Sequence, residues 1–284
     1  EIKTVKDNGG TRILEDLAAS IEKKSSEHGL SRDYIEGIGV GVPGPVLEDG
    51  TIKTAVNLGW GCFNIHEKLH ELTGFRIKAG NDANVAALGE MWQGGGRGFS
   101  SMLMVTLGTG VGGGIIINNE ILTGVNGAAA EIGHIPAADY EDEPDECGSG
   151  KHGCLEQYAS ATGIVRLAKK YLSDNPEIQT PLRAAEELTA KVVFDQYKAG
   201  DSAAGEIAES VFKYLGKALA AVSAVIDTEA FVIGGGVSKA GTVILDGVRK
   251  HFLKYAFPAS KDAKFHLATL GNQAGIYGSV KLLL

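Results

Sequence analysis

A chain of 284 residues, 44% hydrophobic and 22% charged, is too long for one small core and too short for three, so one large or two medium α/β domains are expected, two lobes fitting best. A net charge of −8 without any Lys/Arg cluster excludes a surface built to bind nucleic acid, and Glu209, Lys213 and Lys217 interrupt the longest apolar helical stretch, Ile207 to Ile226, which argues against a membrane span. Three cysteines cannot pair evenly and no apolar leader follows a basic start, so a reducing cytoplasm is expected, with 40 glycines left to explain.

Asp7-Asn8-Gly9-Gly10 reads as a turn, and the stripe of Ile13, Leu14, Leu17, Ala18 and Ile21 predicts a helix over Ile13 to His28. Ile35 to Val42 alternates as a strand and stops at Pro43-Gly44; its outward positions are mostly glycine, so something approaches that strand end closely. A helix near Ile65 to Leu72 leads to a short strand, Phe75 to Ala79, and then to Asn81-Asp82-Ala83-Asn84, which opens an Ala-rich helix through Met91. Met102 to Leu107 and Ile115 to Ile117 are strands joined across a glycine turn, with a polar turn at Asn118-Asn119-Glu120 after them. From Tyr158 to Ile226 the pattern is chiefly helical, broken at Asn175-Pro176 and Gly200-Asp201. Phe231 to Ile233 is a strand running into Gly234-Gly235-Gly236, after which Ser238 is placed to cap a helix with Ile244, Leu245, Val248 and Phe252 inward.

Strands thus end in glycine turns before Gly44, Gly108 and Gly234, an arrangement that gathers backbone amides around something small and anionic. Gly108-Thr109-Gly110-Val111-Gly112-Gly113 matches the dinucleotide pattern, but that motif opens a helix, and a Walker loop carries Lys-Ser or Lys-Thr after its last glycine. Here the β-branched run Ile115 to Ile117 follows, which excludes a hydride-transferring oxidoreductase. What remains is a hairpin turn whose N–H groups and Thr109 hydroxyl wrap phosphate oxygens; a plain turn needs one or two glycines, not five among seven residues. Gly234-Gly235-Gly236 brings backbone close to a nucleotide, with a glycine turn kept for packing as the competing explanation.

One Asn or Asp would cap the helix after Gly80, and three polar residues in four exceed that need. Asp82 therefore reads as the group that orients and deprotonates an attacking hydroxyl, with Asn81 holding the sugar, and the helix N-terminus is expected to keep Asp82 ionised. Glu131 and His134 stand three residues apart, on one face if that segment is helical. Cys147 and Cys154 share a compact loop that continues to Glu156, and His134 with two nearby thiols suits tetrahedral zinc. Cys62 has no partner in sequence and reads as a small filler; the six carboxylates of Asp139 to Glu146 read as a solvated loop without calcium-loop spacing.

In order and spacing, Asn81 to Asn84, Leu107 to Gly114, Glu131 to His134 and Cys147 to Glu156 resemble the ROK family, and the chain is similar to its bacterial glucokinase branch, alongside polyphosphate/ATP hexokinase-like members of the actin-like ATPase superfamily, over nearly its whole length. The resemblance implies a two-lobed α/β fold of the ribonuclease H-like type with nucleotide and sugar in the cleft between lobes. Residues 1–99 plus 271–284 would form the smaller lobe and 100–270 the larger. It implies ATP with Mg²⁺ as donor to the 6-hydroxyl of glucose, and Asp82 as catalytic base. Gly44, Asn57, Asn81, Asp82, Glu131, His134 and Glu156 would surround the hexose, Thr109 and Gly110 would hold phosphate, and Gly235 and Gly236 would lie near the adenosine. A structural Zn²⁺ on His134, Cys147 and Cys154 and a homodimer or homotetramer follow from the same resemblance.

Two departures qualify it. The family's zinc loop reads Cys-x-Cys-Gly-x-x-Gly-Cys-x-Glu, and Ser149 stands at the second cysteine, which weakens the metal site. The family also opens on an Asp-x-Gly-Gly-Thr strand hairpin. Asp7 to Thr11 imitates its letters, but charge-rich Glu1 to Lys6 precedes and a helix follows, so the chain as given is expected to begin after that hairpin. The alternatives are a ROK-type sugar-responsive transcriptional repressor, whose helix-turn-helix is not visible here, and a kinase for fructose, mannose, N-acetylglucosamine or N-acetylmannosamine.

Overall fold

The computed structural model describes residues 4, 6–139 and 143–284. Its strands are β1 (Ile38–Val42), β2 (Thr51–Ile52), β3 (Phe63–Asn64), β4 (Ile77–Asn81), β5 (Met102–Leu107), β6 (Val111–Ile117), β7 (Glu120–Ile121), β8 (Ala230–Gly234) and β9 (Lys264–Leu267). The helices are α1 (Thr11–Glu27), α2 (Ile65–Thr73), α3 (Asp82–Gln93), α4 (Glu156–Ala159), α5 (Ala161–Asp174), α6 (Ala190–Lys198), α7 (Ser202–Ile226), α8 (Thr242–Tyr255) and α9 (Ala274–Lys281). They fall into two compact units: unit one comprises Glu1–Arg97, Gly114–Ala130 and Asn272–Leu284, and unit two Gly98–Gly113 and Glu131–Gly271.

In unit one a 3-10 turn over Asp7–Gly10 leads straight into α1, so this segment is no strand hairpin. The apolar faces of α1 and α2 deliver Leu14, Ile65 and Leu69 to a core shared with Val42, Ile52, Trp60 and Ile77. Trp60 Nε1 donates to Gly10 O at 2.9 Å and ties the N-terminal turn to that core. β1 and β4 pair in parallel, Ile38 beside Ile77 through to Val42 beside Asn81, which brings Pro43-Gly44 and the start of α3 to the same end of the sheet. β4 lies two residues beyond the expected Phe75 to Ala79, because this register draws Gly80 and Asn81 into the ladder; Phe75 instead carries the Arg32 guanidinium 4.5 Å above its ring. Gly89 and Gly278 let α3 and α9 touch backbone to backbone: a Cβ at either would collide with the carbonyl of Ala274 or Val85.

Residues 114–130, expected in the larger lobe, pack with unit one. A Cβ on Gly114 would meet Ala87 Cβ at 2.5 Å and Ala83 O at 2.9 Å, so the absent side chain lets the strand lie on α3. Asn118 and Asn119, with φ of 52° and 69°, turn the chain so that Ile116 pairs with Ile121, the left-handed pair that tight hairpins favour.

Unit two is built on parallel pairing of β5, β8 and β9, with Met102 beside Ala230 and Val232 beside His266, and β6 follows β5 in the sheet order. β5 is buried at nearly every position and β8 at all of them, as expected for strands covered on both faces. α7 buries Ile207, Val211, Phe212, Leu215 and Leu219, and Gly216 and Gly247 admit α8 closely, where a Cβ would strike His251 or the Phe212 ring. The long helical stretch breaks at Asn175-Pro176 as predicted, α5 ending at Asp174, but α-helix resumes only at Ala190 with α6, its N-cap Thr189 accepting from Val192 N at 3.2 Å. Ser238 does not cap α8. Gly236–Ala240 form a 3-10 turn, Gly241 at φ 84° redirects the chain, and Ser238 Oγ donates back to Gly235 O at 2.8 Å. Among the described residues no helix is long and apolar enough to cross a membrane.

Candidate active site

In unit one the ends of β1 and β4 position the first group of residues. Asn81 is the N-cap of α3: its Oδ1 accepts from Ala83 N at 3.0 Å and Asn84 N at 3.1 Å, while its Nδ2 donates to Gly44 O at 3.2 Å. The cap thus links the two strand ends, and Gly44 meets that link at φ 109°, a conformation side chains rarely adopt. Asp82 Oδ1 accepts from Ala83 N at 2.9 Å. By surface Asp82 is exposed, yet it sits deep enough among neighbouring atoms for loss of water to dominate: desolvation pushes its carboxyl above the usual carboxylate range and outweighs the Ala83 N–H. This corrects the expectation that the helix N-terminus would hold it low. Its greater proton affinity suits it better to accept a proton near neutral pH. Asn84 is buried at 2% exposure, and its Oδ1 has no hydrogen-bond partner among the described residues. Asn57 stands exposed in a 3-10 turn over Val56–Leu58.

In unit two the turn Gly108-Thr109-Gly110 joins β5 to β6, Gly108 N donating to Gly110 O at 3.0 Å. The turn rests on the start of α5: Gly108 O accepts from Ala161 N at 2.8 Å, and Thr109 O accepts from Thr162 Oγ1 at 2.6 Å. Glu156 runs alongside, its Oε1 accepting from Gly148 N at 3.0 Å and its Oε2 lying 2.8 Å from where a Cβ on Gly110 would sit. Thr109, Thr162, Arg166, Lys169 and Thr189 line a cavity of about 750 Å³. A second of about 310 Å³, lined by Gly236 and Phe194, shares Ala161, Thr189 and Ala190 with it. Gly235 and Gly236 have separate roles. A Cβ on Gly235, at φ 83°, would collide with the backbone of Leu107, whereas Gly236 faces open space and lines the cavity.

Ser160, Thr162, Arg166 and Thr189 escaped the sequence reading. Ser160 ahead of an apolar helix is a capping signal, and its Oγ does accept from Gly163 N at 2.9 Å; that signal says where a helix begins, not what its start grips.

Glu131 precedes and His134 ends a 3-10 turn over Ile132–His134, so the two do not share an α-helical face. His134 turns Nε2 toward Glu131 Oε2 at 3.9 Å and Nδ1 toward Cys147 Sγ at 4.0 Å. The Cys147 to Cys154 loop is stitched beneath by Ala137 N donating to Gly153 O at 2.7 Å and by Leu155 N donating to Ile135 O at 2.9 Å. Cys147 Sγ lies 2.7 Å from Cys154 Sγ and 3.1 Å from Ser149 Oγ, and donor atoms of His134, Cys147 and Cys154 all fall within 4.8 Å of one another. One imidazole and two sulfurs suit a cation of borderline softness, with a hydroxyl where a third sulfur would bind better. Burial opposes ionisation of Cys147, but hydrogen bonds from Cys154, Ser149 and nearby backbone bring its thiol down to about 6; burial and the adjacent Cys147 push Cys154 up to about 12.

Cys62, expected as a filler, is exposed. Of the acidic stretch Asp139 to Glu146, residues 140–142 lie outside the described residues, and Glu143 is not solvated: its side chain, 4% exposed, accepts from Tyr158 Oη at 2.7 Å and Arg166 Nη1 at 2.8 Å. Burial raises its proton affinity, but those bonds and the Asp145 N–H prevail and hold its carboxyl below the usual range.

This parallel-stranded α/β core, with Asp82 following the Asn81 cap at one strand end and a glycine turn at another, matches the actin-like ATPase fold of sugar kinases. The ROK family model matches residues 5–284, and the chain belongs to that family. It is 46% identical to a glucokinase of Halalkalibacterium halodurans, across 98% of this chain and 85% of that protein. Identity to a glucokinase of Streptomyces coelicolor is 34%, across 95% of this chain and 85% of the relative. The crystal structure of a ROK family glucokinase from Streptomyces griseus in complex with glucose and AMPPNP superposes with a TM-score of 0.74 at 32% identity, covering 99% of this chain and 89% of that one.

Proposed function

We propose that the protein is an ATP-dependent hexose kinase that moves the γ-phosphoryl group onto the 6-hydroxyl of glucose. The observation that carries the chemistry is Asp82: a carboxylate of raised proton affinity at a strand end, held in place by its Asn81 neighbour. As O6 bonds to the γ-phosphorus and the bridging oxygen leaves with ADP, Asp82 takes the hydroxyl proton. Gly44, Asn57, Asn81, Glu131, His134 and Glu156 contact the hexose. Thr109 and Gly110 hold phosphate oxygens, and the cavity at Gly236 receives the adenosine, with Gly235 packing the strand ends behind it. Mg²⁺ arriving with ATP supplies positive charge against the phosphate oxygens.

His134, Cys147 and Cys154 would hold Zn²⁺, which there would brace the loop and fix the imidazole that His134 offers the sugar; Ser149 makes this hold weak. The free cysteines fit a reducing cytoplasm. The test is a panel of glucose, fructose, mannose, N-acetylglucosamine and N-acetylmannosamine with ATP. Glucose should show the highest kcat/KM. Failure to phosphorylate any hexose overturns the assignment, and a different preferred sugar replaces the substrate.

A further inference from the structure

Gly108-Thr109-Gly110 is a turn whose two glycines leave its peptide planes free to rotate, so something must choose which way its dipoles face. A flipped plane would aim a carbonyl oxygen at a phosphate and repel it. Two contacts from the start of α5 settle the orientation. Ala161 N donates to Gly108 O at 2.8 Å, and Thr162 Oγ1 donates to Thr109 O at 2.6 Å. In a trans peptide the N–H points opposite its C=O, and no cis bond is present among the described residues. With both carbonyls tied to α5, the N–H groups of Thr109 and Gly110 face away from it, and among the described residues neither donates to a backbone or side-chain acceptor.

We propose that Thr162 is a positioning residue for the phosphate turn: its hydroxyl latches the Thr109–Gly110 peptide so that consecutive N–H groups stand ready for an anion. The direction of the Thr162 hydroxyl is set by its neighbours. Ser160 Oγ, 3.0 Å away, already donates its proton to Glu156 O at 2.6 Å while accepting from Gly163 N at 2.9 Å, and because the carbonyl Thr109 O can only accept, its 2.6 Å contact takes the Thr162 proton. The same bonds join the backbone of Glu156 to the turn, so one small scaffold at the α4–α5 junction holds both. The latch rests on the reading that this turn binds phosphate, and its test separates the two.

The affinities of ATP and adenosine are measured by calorimetry for the wild type, Thr162→Val and Thr162→Ser. Thr162 is exposed, so valine of equal shape removes the donor with little change in packing, and matched Tm values check this. The preference for ATP over adenosine should fall about tenfold in Thr162→Val, the effect of one lost hydrogen bond to an otherwise mobile group. Adenosine affinity and the KM for glucose should hold, and Thr162→Ser should restore the preference. An unchanged preference in Thr162→Val overturns the latch and leaves the phosphate assignment standing. A wild type that binds ATP no tighter than adenosine removes both. Thr162→Ala, which introduces no bulk, repeats the measurement if the valine variant does not fold.

Discussion

Replacing Asp82 with Asn separates charge from shape at the proposed proton acceptor. The asparagine Oδ1 can still accept from Ala83 N, where Asp82 does so at 2.9 Å, and the Asn81 cap is untouched, so α3 should start as before. The folded protein raises the Asp82 pKa above its ordinary 3.8, which means it favours the protonated form. That preference helps folding fully below 3.8 and is lost as pH rises through the folded-state value, so ionised Asp82 is a small burden at pH 7. Asp82→Asn should therefore melt at or above the wild-type temperature at pH 7, the gap closing in acid. Turnover should behave oppositely. Removing a general base lowers rate by roughly 10²–10⁴-fold, about 2.7–5.4 kcal/mol of barrier at 1.36 kcal/mol per decade. The wild-type kcat/KM for glucose should fall on the acid side at a pH above that of an ordinary carboxylate, and the variant should lack that limb. ADP release with saturating ATP, read from pH 5 to 9 beside glucose calorimetry, supplies the assay. Turnover within tenfold of wild type, with glucose affinity intact, would refute the role given to Asp82.

Gly110→Ala should act through a neighbour. Its Cβ would lie 2.8 Å from Glu156 Oε2, so the end of that flexible side chain must shift and strain the Oε1 bond to Gly148 N; forfeiting a fraction of the about 1.5–3 kcal/mol of a charge-assisted hydrogen bond should raise the glucose KM by roughly threefold or more. A normal glucose KM would remove Glu156 from the sugar pocket. Ser149→Cys should retain zinc through mild chelation that strips the wild type, measured by metal analysis, because sulfur replaces an oxygen 3.1 Å from Cys147 Sγ. Equal retention would show that Ser149 does not limit the site.

Much of this was legible locally. The stripe from Ile13 to Ile21, the alternation into Pro43-Gly44 and the strands around the Gly108 turn became α1, β1, β5 and β6 because apolar spacing already selects the periods of helix and strand. The glycine surplus was readable as close approach, and Gly44, Gly114 and Gly235 are places where a side chain would strain or collide. Asp82 and the His134, Cys147 and Cys154 group stood out through residue type and spacing. The boundaries of β4 and α8 did not, since the first is set by its register with β1 and the second by the bend at Gly241.

Sequence by itself therefore determined most of the elements, the family and which side chains stand out as candidates for chemistry, because residue type and spacing between near neighbours carry those signals. Tertiary structure alone decided their environment. Desolvation reversed the expected shift of Asp82, and Arg166, 23 positions away, drew Glu143 out of water. Thr162 reached across 53 positions to Thr109. Burial and hydrogen bonding over such separations are properties of the folded space around a group, and no periodicity in the chain encodes them.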